Sequence, residues 1–144
     1  MNKKIAKFLL WMSFLIFFTN CKLFSDENQI PYLISGDIEL SESDSYCLDY
    51  KFYNNSGKNV YAFTLVLFVY DEDGNPPPYC SSNFVINVAS VVSSYSYSED
   101  KIDLKPYIVE VNEVDYNIDY IYISNIVYED GSVWSDPLGF SIKF

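Results

Sequence analysis

The sequence contains no histidine and no arginine, so its nine basic residues are all lysines, set against twenty carboxylates. Without imidazole, general acid–base chemistry falls to carboxylates, lysine or tyrosine, and no serine has a visible activating base. Zinc, iron and copper sites lose their usual nitrogen ligand. Pairs of carboxylates arise by chance in so acidic a chain, so they do not indicate catalysis. We therefore predict a protein that is not an enzyme and has no cofactor.

The shortage of positive charge also bears on partners. The net charge is −11, and it becomes about −14 if the N-terminal segment with Lys3, Lys4 and Lys7 is removed. Such a surface repels phosphate backbones, which excludes nucleic acid as a partner. A cationic partner, a divalent ion or simple solubility fits this charge, and solubility is the plainest interpretation.

Long hydrophobic runs are missing as well. The N-terminal run FLLWMSFLIFF covers residues 8–18 behind the positive segment MNKKIAK. A helix that spans a bilayer needs about 20 apolar residues. The run has instead the length of a secretory signal core, which is about 7 to 15 residues. It predicts an N-terminal signal helix.

The run ends at Phe18-Thr19-Asn20-Cys21, which resembles the lipobox of bacterial lipoproteins. The resemblance implies cleavage before Cys21 and attachment of acyl chains to that cysteine, which together hold a protein on a membrane. We expect a signal peptide over residues 1–20, a lipidated cysteine and short tether over 21–33, and a folded domain over 34–144. An uncleaved signal anchor and free secretion are the alternatives.

Period-two alternation from about Ile34 onward predicts β-strands, and no amphipathic helix is found after the leader. Strands are predicted over 46–54, 58–71, 84–92 and 118–128, with short pieces at 107–111, 133–134 and 139–144 and one helical turn near 98–101. The turn sequences NNSG, DEDGN and EDGS separate several of them. We expect an all-β fold, an antiparallel two-sheet Ig-like sandwich of about 6–8 strands. Its predicted core includes Leu65, Leu67, Phe68, Ile123 and Trp134.

The segment FYNNSGKNVYAFTLVLFVYDEDGN, residues 52–75, is similar to the small bacterial Ig-like domains named for their FxLYD motif. The similarity rests on Asn54 at a strand end, on Phe68-Val69-Tyr70-Asp71 and on Gly74. It implies an extracytoplasmic accessory or binding domain, and it transfers no catalytic residue.

The two remaining cysteines, Cys47 and Cys80, form an even pair in a compartment that permits disulfides. A disulfide between them is one expectation. Two separate thiols are the other, because spacing alone does not show that the Cα atoms lie within about 7 Å.

The turn DEDGN resembles the first half of a calcium loop, although prolines follow it and no closing acid is present. A composite site of Asp71, Asp73, Glu129 and Asp130 requires both acidic turns at one end of the sandwich. A solvated hairpin turn is the alternative, and the sequence favours it.

The run SSYSYS, residues 93–98, has the tyrosine and serine composition of recognition loops. Tyr95 and Tyr97, with Tyr79 and Tyr107, form a candidate binding patch. The alternative, which the alternation favours, is an edge strand with Tyr95 and Tyr97 on its core side.

These observations predict a lipid-anchored, extracytoplasmic binding or accessory module of the bacterial cell envelope, periplasmic or surface-exposed. Its expected partners are a membrane, through Cys21, and a protein of the envelope. Two alternatives are an envelope-assembly protein without a dedicated ligand and a calcium-dependent adhesion domain. The sequence leaves the ligand and the oligomeric state open.

Overall fold

The computed structural model describes residues 30–41, 45–109 and 114–141, and the predicted all-β sandwich is confirmed there. A three-stranded sheet of order β1-β2-β5 faces a four-stranded sheet of order β4-β3-β6-β7, and all pairings are antiparallel. The strands are β1 Tyr32–Leu40, β2 Tyr46–Asn54, β3 Val60–Tyr70, β4 Asn83–Val88, β5 Tyr97–Asp103, β6 Asn117–Tyr128 and β7 Val133–Ser135.

This strand order is that of an Ig-like sandwich. If β1, β2 and β5 are taken as strands A, B and E, the second sheet reads C′-C-F-G, which is the arrangement around the central C and F strands of Ig-like domains. The described residues include no helix of the length and apolar character needed to cross a bilayer. The predicted signal helix and Cys21 lie outside the described residues.

The core lies between the two sheets and follows the alternation of each strand. Leu48, Tyr50 and Phe52 of β2 face Phe63, Leu65, Leu67 and Val69 of β3 and Ile123 and Ile126 of β6. The predicted burial of Leu65, Leu67 and Ile123 is therefore confirmed. Trp134 is half-buried and packs edge-on against Tyr32, with 5.6 Å between ring centroids.

The prediction that Phe68 belongs to the core is wrong. Phe68 falls between the inward residues Leu67 and Val69, so the pleat turns its side chain to the outer face of the sheet. There it is paired with Tyr120 of β6, with 6.1 Å between the ring centroids.

The strand boundaries differ from expectation in several places, and β4 ends at Val88 rather than at residue 92. Strand β1 begins at Tyr32, inside the segment assigned to the tether, because the Tyr32 side chain is a buried core residue. The predicted helical turn near 98–101 is wrong, since those residues belong to β5. Residues 107–109 and 139–141 belong to connections rather than strands, so the strands predicted over 107–111 and 139–144 are wrong in their described parts. Their remaining residues lie outside the described part of the chain.

A cross-sheet hydrogen bond links β1 to β6. The Ile123 N–H donates to the Tyr32 hydroxyl at 3.0 Å, and that hydroxyl donates to the Ile123 carbonyl at 3.4 Å. Strand β7 pairs only with residues 125–127, so the tyrosine occupies the edge of β6 where the neighbouring strand has ended. Burial raises the pKa of Tyr32 to about 12.

The buried side chain of Asn54 joins the loops at the end of the sandwich where β1 begins, which we call the proximal end. Its Nδ2 donates to the carbonyls of Lys58, Val92 and Ser93 at 2.8, 3.1 and 2.9 Å. Its Oδ1 accepts the Ser56 N–H and the Ser56 hydroxyl at 3.1 and 2.6 Å. The opposite end, which we call the distal end, contains the β3–β4 loop and the chain that follows β5.

We expect Asn54→Ala to lower the free energy of unfolding by about 2–4 kcal/mol, because it leaves a cavity and takes a donor away from buried carbonyls. Asn55→Ala is the matched control. Asn55 is the next residue, and its side chain makes one long bond to Ile30 at 3.4 Å, so the expected loss is about 0.5 kcal/mol or less. Urea unfolding measures both values, and equal losses would contradict the role given to Asn54.

We expect Tyr32→Phe to lower the free energy of unfolding at pH 8 by about 1–3 kcal/mol, because Ile123 loses its partner. The pKa of Tyr32 in the folded state lies above its unfolded value of 10.0. The wild type therefore loses the stabilisation from the protonated Tyr32 hydroxyl as pH rises from about 10 to about 12. At pH 11 the difference between wild type and variant should therefore narrow by about 1.4 kcal/mol. Urea unfolding at both pH values tests this, with Tyr97→Phe, which removes an exposed hydroxyl, as the control. If wild type and Tyr32→Phe differ in free energy of unfolding by the same amount at pH 8 and pH 11, the raised pKa of Tyr32 is contradicted.

Candidate functional site

The four tyrosines of the predicted patch are divided between the two ends of the sandwich. Tyr79 lies in the β3–β4 loop and Tyr107 follows β5, so both are at the distal end. Tyr95 precedes β5, and Tyr97 begins it opposite Tyr53 near the end of β2, so both are at the proximal end. A single patch of four tyrosines is therefore wrong, because β5 separates the two pairs along its length.

The distal pair lines a shallow cleft of about 410 Å³ with both apolar and polar walls. Tyr79 is 89% exposed and has a φ of 62°, a conformation that few non-glycine residues adopt. The Tyr107 ring packs on Phe84 with 5.3 Å between centroids, and its hydroxyl donates to the Val85 carbonyl at 3.1 Å. That bond satisfies one backbone carbonyl on the outer edge of β4. The cleft therefore exposes aromatic rings beside a strand edge whose hydrogen-bonding groups are partly satisfied.

The proximal pair is exposed rather than turned to the core, so the expected edge strand with Tyr95 and Tyr97 on its core side is also wrong. Tyr97 lies on the outer face of the three-stranded sheet, where its ring is 4.5 Å from that of Tyr53. The ammonium of Lys51 lies 5.7 Å from the Tyr97 ring centroid. Tyr95 has a φ of 55° and extends over the turn that contains Gly57.

The composite calcium site is wrong because its two turns lie at opposite ends of the sandwich. Asp71 and Asp73 follow β3 at the distal end, whereas Glu129 and Asp130 follow β6 beside the start of β3. Strand β3 has 11 residues, so roughly 35 Å separates the turns. Among the described residues, no three histidine, cysteine or carboxylate side chains are grouped so that they hold a metal ion.

Each of these turn carboxylates has a local structural partner. The Asp71 carboxylate accepts the backbone N–H groups of Asp73 and Asn75 at 2.9 and 2.7 Å, and the bond from Asn75 is the main cause of its lowered pKa. Asp130 lies 2.8 Å from the Lys58 ammonium, which is the main cause of its lowered pKa. Glu129 accepts the Asn59 side-chain amide at 2.9 Å. These groups close the two hairpin turns.

The expected disulfide is absent, because Cys47 and Cys80 are free cysteines in the structure. Cys47 lies on the outer face of the three-stranded sheet, in register with Glu39 and Asp103. Cys80 lies in the loop that leads to β4 of the other sheet, and its thiol donates to the Tyr107 carbonyl. The two side chains therefore belong to different sheets.

A second distal cleft, of about 520 Å³, opens between the ends of the two sheets. The Tyr46 and Tyr116 rings pack edge-on with 5.1 Å between centroids. The Tyr46 hydroxyl accepts the Val114 N–H at 3.2 Å and donates to the Val114 carbonyl at 2.7 Å. Glu72 and Asp115 line the mouth, so this cleft favours cations over anions.

Sequence reasoning overlooked several exposed apolar side chains at the proximal end. Leu33, Tyr61 and Val91 are each more than half exposed, although their neighbours Tyr32, Val60 and Val92 are buried. Alternation along each strand signals that one residue of such a pair points outward. It does not signal that outward residues from separate segments gather at one end.

The comparisons with known proteins address the fold alone. No protein-family model matches the chain, and no curated protein matches it in sequence. Among solved structures, it is similar to a hypothetical protein from Peptoclostridium difficile 630, with a TM-score of 0.55 at 11% identity over 75% of this chain and 87% of that one. The similarity supports the β-sandwich.

We expect alkylation of the unfolded protein without reductant to modify both Cys47 and Cys80, because neither thiol is consumed by a disulfide. Peptide mass spectrometry locates the adducts, and a parallel sample reduced before alkylation is the control. Modification of the two cysteines only after reduction would contradict the free-thiol assignment.

Proposed function

We propose that this chain is an extracytoplasmic lipoprotein of the bacterial cell envelope, anchored through Cys21 and acting as a non-catalytic binding or accessory module. The observation that carries the proposal is the position of Cys21. Thr19 and Asn20 alone separate it from the apolar run 8–18, they form part of the lipobox-like sequence, and a polar segment follows the cysteine.

The length of chain after Cys21 supports an anchored domain. Strand β1 begins at Tyr32, eleven residues beyond the cysteine. A segment of that length spans at most roughly 40 Å when fully extended. The sandwich would thus stay within about its own length of the membrane surface.

A binding or accessory role is supported by the arrangement of the loops. Rigid sheets hold exposed aromatic side chains at both ends, with Tyr79 at the distal end and Tyr95 at the proximal end. Loops on a rigid scaffold are common locations of recognition residues. The separation of the two acidic turns removes the observation that had suggested calcium-dependent adhesion.

We expect the membrane-extracted wild-type protein to have the mass of a chain that begins at Cys21 with added acyl groups, and the Cys21→Ser variant to lack them. Intact-mass spectrometry of both proteins makes the measurement. Cys47→Ser is the matched control, since that thiol lies in β2 and the variant should keep the acyl mass.

Two results would contradict the lipoprotein assignment. Full-length mass in wild type and variant alike would indicate an uncleaved signal anchor. A shortened chain without acyl groups would indicate free secretion.

A further inference from the structure

Exposed apolar side chains surround the proximal end of the sandwich. Each of them is 59–66% exposed, and together we call them the proximal collar: Leu33, Tyr61, Val91, Tyr95 and Tyr97. They come from both sheets and from the β4–β5 loop, so they ring the end of the domain.

Part of the collar is a continuous row across the three-stranded sheet. Leu33 of β1 is in register with Tyr53 of β2, which is in register with Tyr97 of β5. All three point to the outer face, and the Tyr53 and Tyr97 rings are in contact. The row presents an apolar surface at the edge of the domain rather than isolated exposed residues.

The β4–β5 loop is held so that Tyr95 stays at this end. Asn54 binds the carbonyls of Val92 and Ser93, and the Asn59 side chain accepts the Ser94 N–H at 3.0 Å. The Ser96 carbonyl accepts the Asn54 N–H at 2.9 Å. Fixed backbone on both sides of Tyr95 makes the exposure of its ring a property of the fold.

The chain from Cys21 joins the domain at the same end. Strand β1 starts at Tyr32, in register with Asn54, so the segment behind Cys21 attaches beside the collar. With the anchor proposed above, on which this inference rests, eleven residues bring the collar within reach of the bilayer. Tyrosine is enriched at membrane–water interfaces, where its ring is buried and its hydroxyl stays hydrated.

The two ends of the domain also differ in charge. The described carboxylates at the distal end are Glu39, Asp71, Glu72, Asp73, Asp103, Asp115 and Asp119. The lysines beside them are Lys101, which is paired with Glu39, and Lys105, so the carboxylates remain in excess. The proximal end carries Glu129 and Asp130, and Asp130 is paired with Lys58. Anionic headgroups repel the distal end more strongly, so electrostatics also favours an orientation with the proximal end toward the lipid.

We propose that the proximal end rests on the lipid surface, with the collar residues in the headgroup region and the acidic distal end pointing away from the membrane. The lipid chains hold the protein on the bilayer, and the collar sets its orientation. The distal clefts then face the solvent, where they are open to other molecules.

The chain offers a matched pair of positions for the test. Tyr79 and Tyr95 are both exposed loop tyrosines with a positive φ, one at each end of the domain. Tyr95→Cys and Tyr79→Cys would be made separately in the full-length chain carrying Cys47→Ser and Cys80→Ser, and labelled with an environment-sensitive fluorophore. Tyr97→Cys provides a second proximal reporter in regular strand geometry, and thermal melts check that each variant folds.

Each labelled protein would be extracted from membranes and reconstituted into phosphatidylcholine vesicles with or without brominated acyl chains, which quench fluorophores near the lipid. We expect emission at positions 95 and 97 to fall about twofold in brominated vesicles and emission at position 79 to stay unchanged. Equal emission in both vesicle types at every position would overturn the proposal, as would stronger quenching at position 79.

The intact mass at Cys21 is recorded for every variant, which separates the two proposals. Acyl groups present without quenching at 95 and 97 would overturn the lipid-facing collar and leave the anchor standing. Acyl groups absent would overturn the anchor and, with it, the collar.

Discussion

The proximal end of this domain depends on the side chain of Asn54. It is fully buried and has every hydrogen-bonding group occupied, with contacts to the 55–59 turn and to the β4–β5 loop. Burying an amide is unfavourable unless its hydrogen bonds are replaced, so the surrounding backbone is restricted to geometries that replace them. The position of Tyr95, and with it the collar, follows from that restriction.

The two sheets are joined at a second point by Tyr32. Its hydroxyl occupies the β6 edge beyond the end of β7, and its ring packs against Trp134. A single residue therefore occupies backbone groups of β6 that β7 leaves unpaired, and it fixes β1 over β6. Because β1 is the first described strand, the same contact determines at which end of the domain this strand begins.

Several residues that suggested chemistry have structural roles. Asp71 and Asp130 close hairpin turns, and Tyr107 caps an edge carbonyl of β4. Each forms local hydrogen bonds whose formation does not depend on a ligand. The surfaces left for recognition are mainly aromatic: the shallow cleft at Tyr79 and the collar at the opposite end. In the proposed orientation, the collar faces the membrane and the cleft at Tyr79 faces the solvent.

The sequence by itself determined the all-β class, the strand bounds of β2 and most of β3 and β6, and the burial of Leu65, Leu67 and Ile123, because alternation reports which side of a strand is apolar. It did not determine that β5 continues through 98–101, since a charged edge strand lacks an apolar alternation. Only the tertiary structure separated the tyrosines into pairs, moved the acidic turns to opposite ends and kept Cys47 apart from Cys80. Those outcomes depend on which strand ends meet, and strand pairing between residues distant in sequence is decided by packing of the whole core.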